Sequence, residues 1–150
     1  MPLRAKVLEF AAAVDRLGTM SAEKGEPFTP GEGWEPEHLL LAALVRCSIT
    51  SLRYHAKRVG STAVASGSAH GSITQRESDW RYAFVAIECA FDVELEPVPD
   101  DVPALLAKAE RDCFVGASLT AKPVYNWTVN GSPVGDRDEP GDSRPAGSIG

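Results

Sequence analysis

Residues 34–58 read WEPEHLLLAALVRCSITSLRYHAKR, and this stretch decides the fold. Pro36 stands where a first helical residue belongs, because its missing N–H has no partner there in any case. Glu37 puts an acid in the first turn, at the positive end of the helix dipole. Lys57 and Arg58 suit the other end, and Gly60 can adopt the left-handed conformation that stops a helix. The pattern predicts one long helix from about Pro36 to Val59. Its early part, LLLAALV, is apolar on every side, and a helix that is apolar all round is buried all round. Cys47 follows directly, between Arg46 and Ser48. A thiol among polar neighbours on a buried helix is an odd feature for packing alone.

Upstream, residues 3–14 (LRAKVLEFAAAV) read as a strand weakened by its alanines. Gly18 and Gly25 punctuate DRLGTMSAEKG and predict a hairpin into a second short strand. Residues 26–36, with three prolines and two glycines, are loop. Downstream, Ser61 to Thr74 is small, polar and partly β-branched, a further strand. Residues 80–95 (WRYAFVAIECAFDVEL) alternate cleanly, so Ala83, Val85, Ile87, Cys89, Phe91, Val93 and Leu95 form the core face and Arg81 and Glu88 belong to solvated surface. VPALLAKAERDC predicts a short amphipathic helix with Leu105, Leu106 and Ala109 inward, ending at Cys113. A last strand runs from Ser118 to Val129, with Tyr125, Trp127 and Val129 in alternation.

Strands and helices are thus mixed without regular βαβ alternation, which predicts an α+β fold with a largely antiparallel sheet. A small sheet covers a helix on one side only, so an all-round apolar helix needs a second cover. A second copy of the chain is the simplest supplier, and a homodimer is expected on that ground. Residues 1–130 are expected to form one domain. Residues 131–150, rich in Gly, Pro, Ser and charge, are expected to be a disordered tail.

At 150 residues the chain is about one domain long. Its formal net charge is −6, which argues against nucleic acid or an anionic membrane surface as main partner. LLLAALV is stopped by Arg46 well short of the ~20 apolar residues that span a bilayer. MPLRAKVLEF lacks the pattern of a signal peptide, and a cytoplasmic protein is expected. Three cysteines at wide spacing, Cys47, Cys89 and Cys113, are no disulfide framework, and no CxxC occurs. His38, His55 and His70 lack ligand spacing, so neither a metal nor another cofactor is expected. No serine has a Gly-x-Ser-x-Gly context. Trp34, Trp80 and Trp127 read as core or dimer-interface residues.

Cys47 and Cys113 are the candidates for chemistry. A reactive cysteine needs nearby donors or cations and some access. Arg46 adjoins Cys47 in sequence, but neighbours on a helix point about 100° apart. Thr50 and Ser51 share its face. Free cysteine is also among the most buried residue types, so packing and chemistry both stay open for Cys47, while packing suffices for Cys89.

PEHLLLAALVRC resembles the Pro-Glu-x-Leu-Leu lead-in of the OsmC/Ohr family, with its first cysteine ten residues after the glutamate. AERDCFVGASL resembles that family's second cysteine segment, and RLGTMSAEKG has the spacing of its arginine turn. The chain departs from the family at Ser48, where phenylalanine is common in one branch, and at Phe114, where proline is frequent. The resemblance covers about residues 3–130. It implies an OsmC-like antiparallel sheet wrapped around a long central helix, in an intertwined homodimer.

The resemblance further implies a thiol peroxidase for organic hydroperoxides. Cys47 would be the peroxidatic cysteine and Cys113 the resolving one, with Arg16 and Glu37 as the charged pair of the site. A dithiol, of lipoyl type or a small thiol, would restore the enzyme. Glu37 and Cys47 lie ~15 Å apart along one helix and about 80° short of three turns, so they cannot meet within one straight helix. If both serve one site, Glu37 comes from the partner. Two other readings stand beside this one: a catalytically silent OsmC-fold stress protein or apolar-ligand-binding dimer, and a redox sensor.

Overall fold

The computed structural model describes residues 5–135. The chain divides into two compact units, Met1–His38 and Leu39–Gly150.

The smaller unit holds a hairpin of β1 (Ala12–Val14) and β2 (Met20–Ala22), paired antiparallel with Val14 opposite Met20. Its turn is built by Asp15, whose carboxylate accepts from Leu17 N at 2.8 Å and Thr19 N at 2.9 Å. Gly18 closes it at φ 85°, where a Cβ would be strained, and donates to Asp15 O at 3.0 Å. Met20 and Phe28 form one further bridge. The hairpin stands where the sequence places it, but the first strand is three residues long instead of twelve. Residues 5–11 are exposed and join no ladder among the described residues.

Helix α1 (Pro36–Arg58) begins in this unit and continues into the larger one. Its start is closed by His38, whose Nδ1 accepts from Glu35 N at 3.0 Å. Its end is closed by Gly60 at φ 77°.

The larger unit contains a sheet in the order β3 (Thr62–Gln75), β4 (Tyr82–Glu96), β5 (Val124–Val129), β6 (Ser132–Pro133). Helices α2 (Val102–Arg111) and α3 (Phe114–Ser118) connect β4 to β5. Asp101 caps α2, accepting from Ala104 N at 3.1 Å. Because that connection is a helical crossover, β5 returns parallel to β4, while β3 and β6 are antiparallel to their neighbours. The sheet is therefore mixed.

Leu44, Leu52 and Ala56 of α1 share a core with Ile87 to Leu95 of β4, Leu105, Leu106 and Ala109 of α2, and Trp127 and Val129 of β5. The alternating face of β4 holds from Ile87 onward. Ahead of it the register with β3 slips between Ser72 and Ile73, so Val85, expected in the core, is 43% exposed and Phe84 turns inward. Trp127 stacks on Phe91 at 4.6 Å, while Trp34 and Trp80 are exposed.

The all-round burial expected of α1 is not reached within one chain. Its buried stripe is Leu44, Ser48, Ser51, Leu52, His55 and Ala56. Leu41, Val45 and Ile49 are half-buried and face an open groove of about 470 Å³ bounded by Ala65, Gly67 and Ala69 of β3. A disordered tail is expected from Gly131, yet Ser132 pairs with Val129 in β6. The rest of that segment, from residue 136, lies outside the described residues. Among the described residues, no helix is long and apolar enough to cross a membrane.

Candidate active site

Helix α1 presents Cys47 half-buried, one residue ahead of the fully buried Ser48. The crossover from α2 brings Cys113 to the same place. Asp112, at the end of α2, is tied to α1 by His55, whose Nε2 lies 2.8 Å from Asp112 Oδ2. Arg111 holds the same carboxylate through two bonds of 2.9 and 2.8 Å. The Arg111 guanidinium, with help from His55, lowers the Asp112 carboxyl to about 2. The residue before Cys113 is thus fastened both to its own helix and to α1.

Cys113 then caps α3. Its Sγ accepts from Gly116 N at 3.3 Å and from Ser48 Oγ at 3.4 Å, and the side chain is fully buried. The N–H of Val115 donates to Cys47 Sγ at 3.5 Å. Two neighbouring peptide groups therefore serve the two sulfurs. All three cysteines are free thiols.

Burial raises the pKa of the Cys47 thiol, and the adjacent Cys113 thiol raises it further. The backbone amides of Val115 and Phe114 oppose that rise by donating to the charged form. None of these groups is a cation. Cys89, on the core face of β4, is pushed up to about 11 by burial, with a smaller contribution from Cys113. It is 1% exposed and inert toward solvent.

Around the pair, Ser48 Oγ lies 3.3 Å from Tyr125 Oη, and Tyr125 stacks beside Trp127. Trp127 Nε1 donates to Glu110 Oε2 at 2.7 Å, which ties β5 to α2. Gly116 leaves room for this approach: a Cβ there would sit 3.0 Å from Tyr125 Oη and 3.4 Å from Cys113 Sγ.

The structure brings Cys47 and Cys113 together. Arg16 and Glu37 belong to the other unit, Arg16 exposed in the β1–β2 turn and Glu37 exposed in the first turn of α1. Sequence reasoning missed Ser48 and Tyr125 as members of the site. Tyr125 was visible only as an inward strand residue, and Ser48 only as a polar position within a buried helix. Among the described residues, no group of three or more His, Cys, Asp or Glu gathers as metal ligands would.

Residues 29–128 match the family model described as OsmC-like protein. No curated protein matches the chain. Among solved structures, it is similar to an OsmC-like protein of unknown function from Vibrio cholerae, with TM-score 0.68 and 14% identity over 81% of this chain and 99% of that one. An OsmC-like protein from Mycoplasma pneumoniae gives TM-score 0.63 and 15% identity over 84% and 99%. An organic hydroperoxide resistance protein from Elizabethkingia anophelis gives TM-score 0.57 and 17% identity over 84% and 98%. Identities this low speak for a shared fold alone.

Proposed function

Because the chain belongs to the OsmC-like family, we propose that it is a thiol-dependent peroxidase that reduces organic or lipid hydroperoxides to alcohols. One observation carries the reading: a half-buried thiol and a fully buried one sit on consecutive amides of α3. Cys47, the more accessible, attacks the distal oxygen of the hydroperoxide. The O–O bond breaks, the alcohol leaves, and Cys47 becomes a sulfenic acid. Cys113 condenses with it, releasing water and forming the Cys47–Cys113 disulfide before further oxidation occurs. An incoming dithiol, of lipoyl type or a small thiol, returns both sulfurs to thiols and is itself oxidised to a disulfide.

Peroxidatic cysteines react as thiolates, and burial opposes that form at Cys47. A cation beside the sulfur would offset that cost. In this proposal the cation is Arg16, held by Glu37 through a two-point pair, and both come from a second copy of the chain. The homodimer also covers the groove along Leu41, Val45 and Ile49, which one chain leaves open.

The test is consumption of a reduced lipoyl dithiol in the presence of cumene hydroperoxide. Turnover is expected in the native chain and none in Cys47→Ser. Turnover that survives Cys47→Ser overturns the reading.

A further inference from the structure

Ser48 follows Cys47 in α1 and points about 100° away from it. It is fully buried on the stripe that carries Leu44 and Leu52. A hydroxyl in such a place costs free energy unless it is paired, and alanine would fill the stripe without that cost. Ser48 Oγ has two acceptors in reach, Cys113 Sγ at 3.4 Å and Tyr125 Oη at 3.3 Å. It has a single hydrogen to donate, and rotation about Cβ–Oγ transfers it between them with no heavy atom displaced. Burial raises the pKa of Tyr125, so that its hydroxyl stays neutral. A sulfur that gains negative charge is the stronger acceptor of the two.

We propose that Ser48 is a positioning residue for the second half of the reaction, its hydroxyl turning from Tyr125 to Cys113 as that sulfur develops charge. Together with the Gly116 amide it then holds Cys113 for attack on Cys47. This inference rests on the peroxidase reading. In the step concerned, an electron pair of the Cys113 sulfur forms the S–S bond while the S–O bond of the Cys47 sulfenic acid breaks. The Cys113 proton passes to the sulfenic oxygen as attack begins, which is when negative charge builds on the Cys113 sulfur, and that oxygen departs as water. The hydroxyl of Ser48 makes its contacts with Cys113 and Tyr125, so the first half-reaction does not call on it.

The two halves are separable in rapid-quench mass spectrometry of the full chain with one equivalent of cumene hydroperoxide. Trapping with dimedone follows the sulfenic acid, and the disulfide is read directly. In Ser48→Ala, sulfenic acid is expected to form within about twofold of the native rate, since the hydrogen bonds of Ser48 go to Cys113 and Tyr125 and not to Cys47. Its conversion to disulfide is expected to slow by about tenfold, the kinetic equivalent of one hydrogen bond to a charged group. Excess peroxide then drives Cys47 on to sulfinic acid. Should Ser48→Ala fail to fold, Ser48→Thr and Ser48→Val replace it. These two share a shape, and only the first keeps the hydroxyl, so only Val should slow the second step. An unchanged second rate in Ala, equal rates in Thr and Val, or both half-reactions slowed alike would each overturn the role of Ser48. A native chain that forms no Cys47 sulfenic acid overturns the peroxidase reading itself, and the role of Ser48 with it.

Discussion

Cys47 and Cys113, 66 residues apart in the chain, take their sulfur contacts from consecutive peptide groups, Val115 N–H at 3.5 Å and Gly116 N–H at 3.3 Å. The first turn of α3 thus sets the spacing of the two thiols. Phe114 adds to this turn, because its amide also favours the charged form of Cys47. Proline at that position would keep the turn, being tolerated at the first position of a helix, but has no N–H to give. Phe114→Pro is therefore expected to fold normally and to raise the pKa of Cys47. Iodoacetamide alkylation of Cys47 against pH should show its midpoint displaced to the alkaline side. An unmoved midpoint would remove the Phe114 amide from the site.

Gly67 makes a separate prediction about stability. It lies directly opposite Phe91 in the β3–β4 pair, and a Cβ on it would come within 2.5 Å of the Phe91 ring. That ring is 3% exposed and stacked on Trp127, so it has nowhere to move. Gly67→Ala is expected to destabilise the chain by about 1–3 kcal/mol through overpacking. Gly31→Ala, where nothing lies within 4 Å of the added atom, is the matched control and should change little. Denaturant unfolding of the two variants side by side checks the difference.

Much of this arrangement is legible in the sequence, and the exceptions have physical causes. Helix α1 announces itself through Pro36, Glu37 and Gly60, and α2 through the spacing of Leu105, Leu106 and Ala109. β4 announces its core face from Ile87 to Leu95. Val85 breaks that pattern because a one-residue slip reverses which side faces inward, and nothing local in the sequence marks the slip. The parallel direction of β5 was available: a helical stretch between two strands is long enough for a crossover, which antiparallel neighbours do not need. Helix α3 spans only five residues, too few for a 3.6-residue period to register. Ser48 and Tyr125 meet across 77 positions, and no motif spacing encodes such a contact.

Buried thiols give the stability of the chain an alkaline limit. Burial raises Cys89 from 9.0 to about 11. The folded value lies above the unfolded one, so the contribution is fully present below pH 9 and is lost as pH rises from 9 through about 11. Cys47 and Tyr125, both raised by burial, act in the same direction. Urea midpoints of the reduced chain are therefore expected to fall between pH 8 and 10.5. Cys89→Ala should start lower at pH 8, having lost packing, and then fall less steeply. Parallel pH dependences for the native chain and the variant would show that Cys89 does not set the limit.

The sharpest prediction concerns which chain supplies the cation. Helix α1 carries Glu37 at its start and Cys47 nearly three turns later, so a straight helix cannot serve one site with both. If Arg16 and Glu37 act on the partner's thiol, two inactive variants should complement each other. Cys47→Ser keeps its charged pair and lacks the thiol, while Arg16→Met keeps the thiol and lacks the cation. Each alone is expected to show negligible turnover, with Arg16→Met also titrating its Cys47 at higher pH for want of a positive neighbour. Denatured together in equal amounts and refolded, they should form mixed dimers in which one site joins the intact Cys47 of one chain to the intact Arg16 of the other. Random pairing makes about half the dimers mixed, each with one working site of two, so about a quarter of native activity should return. Were Arg16 to act within its own chain, no mixed dimer would hold a complete site and the mixture would stay inactive.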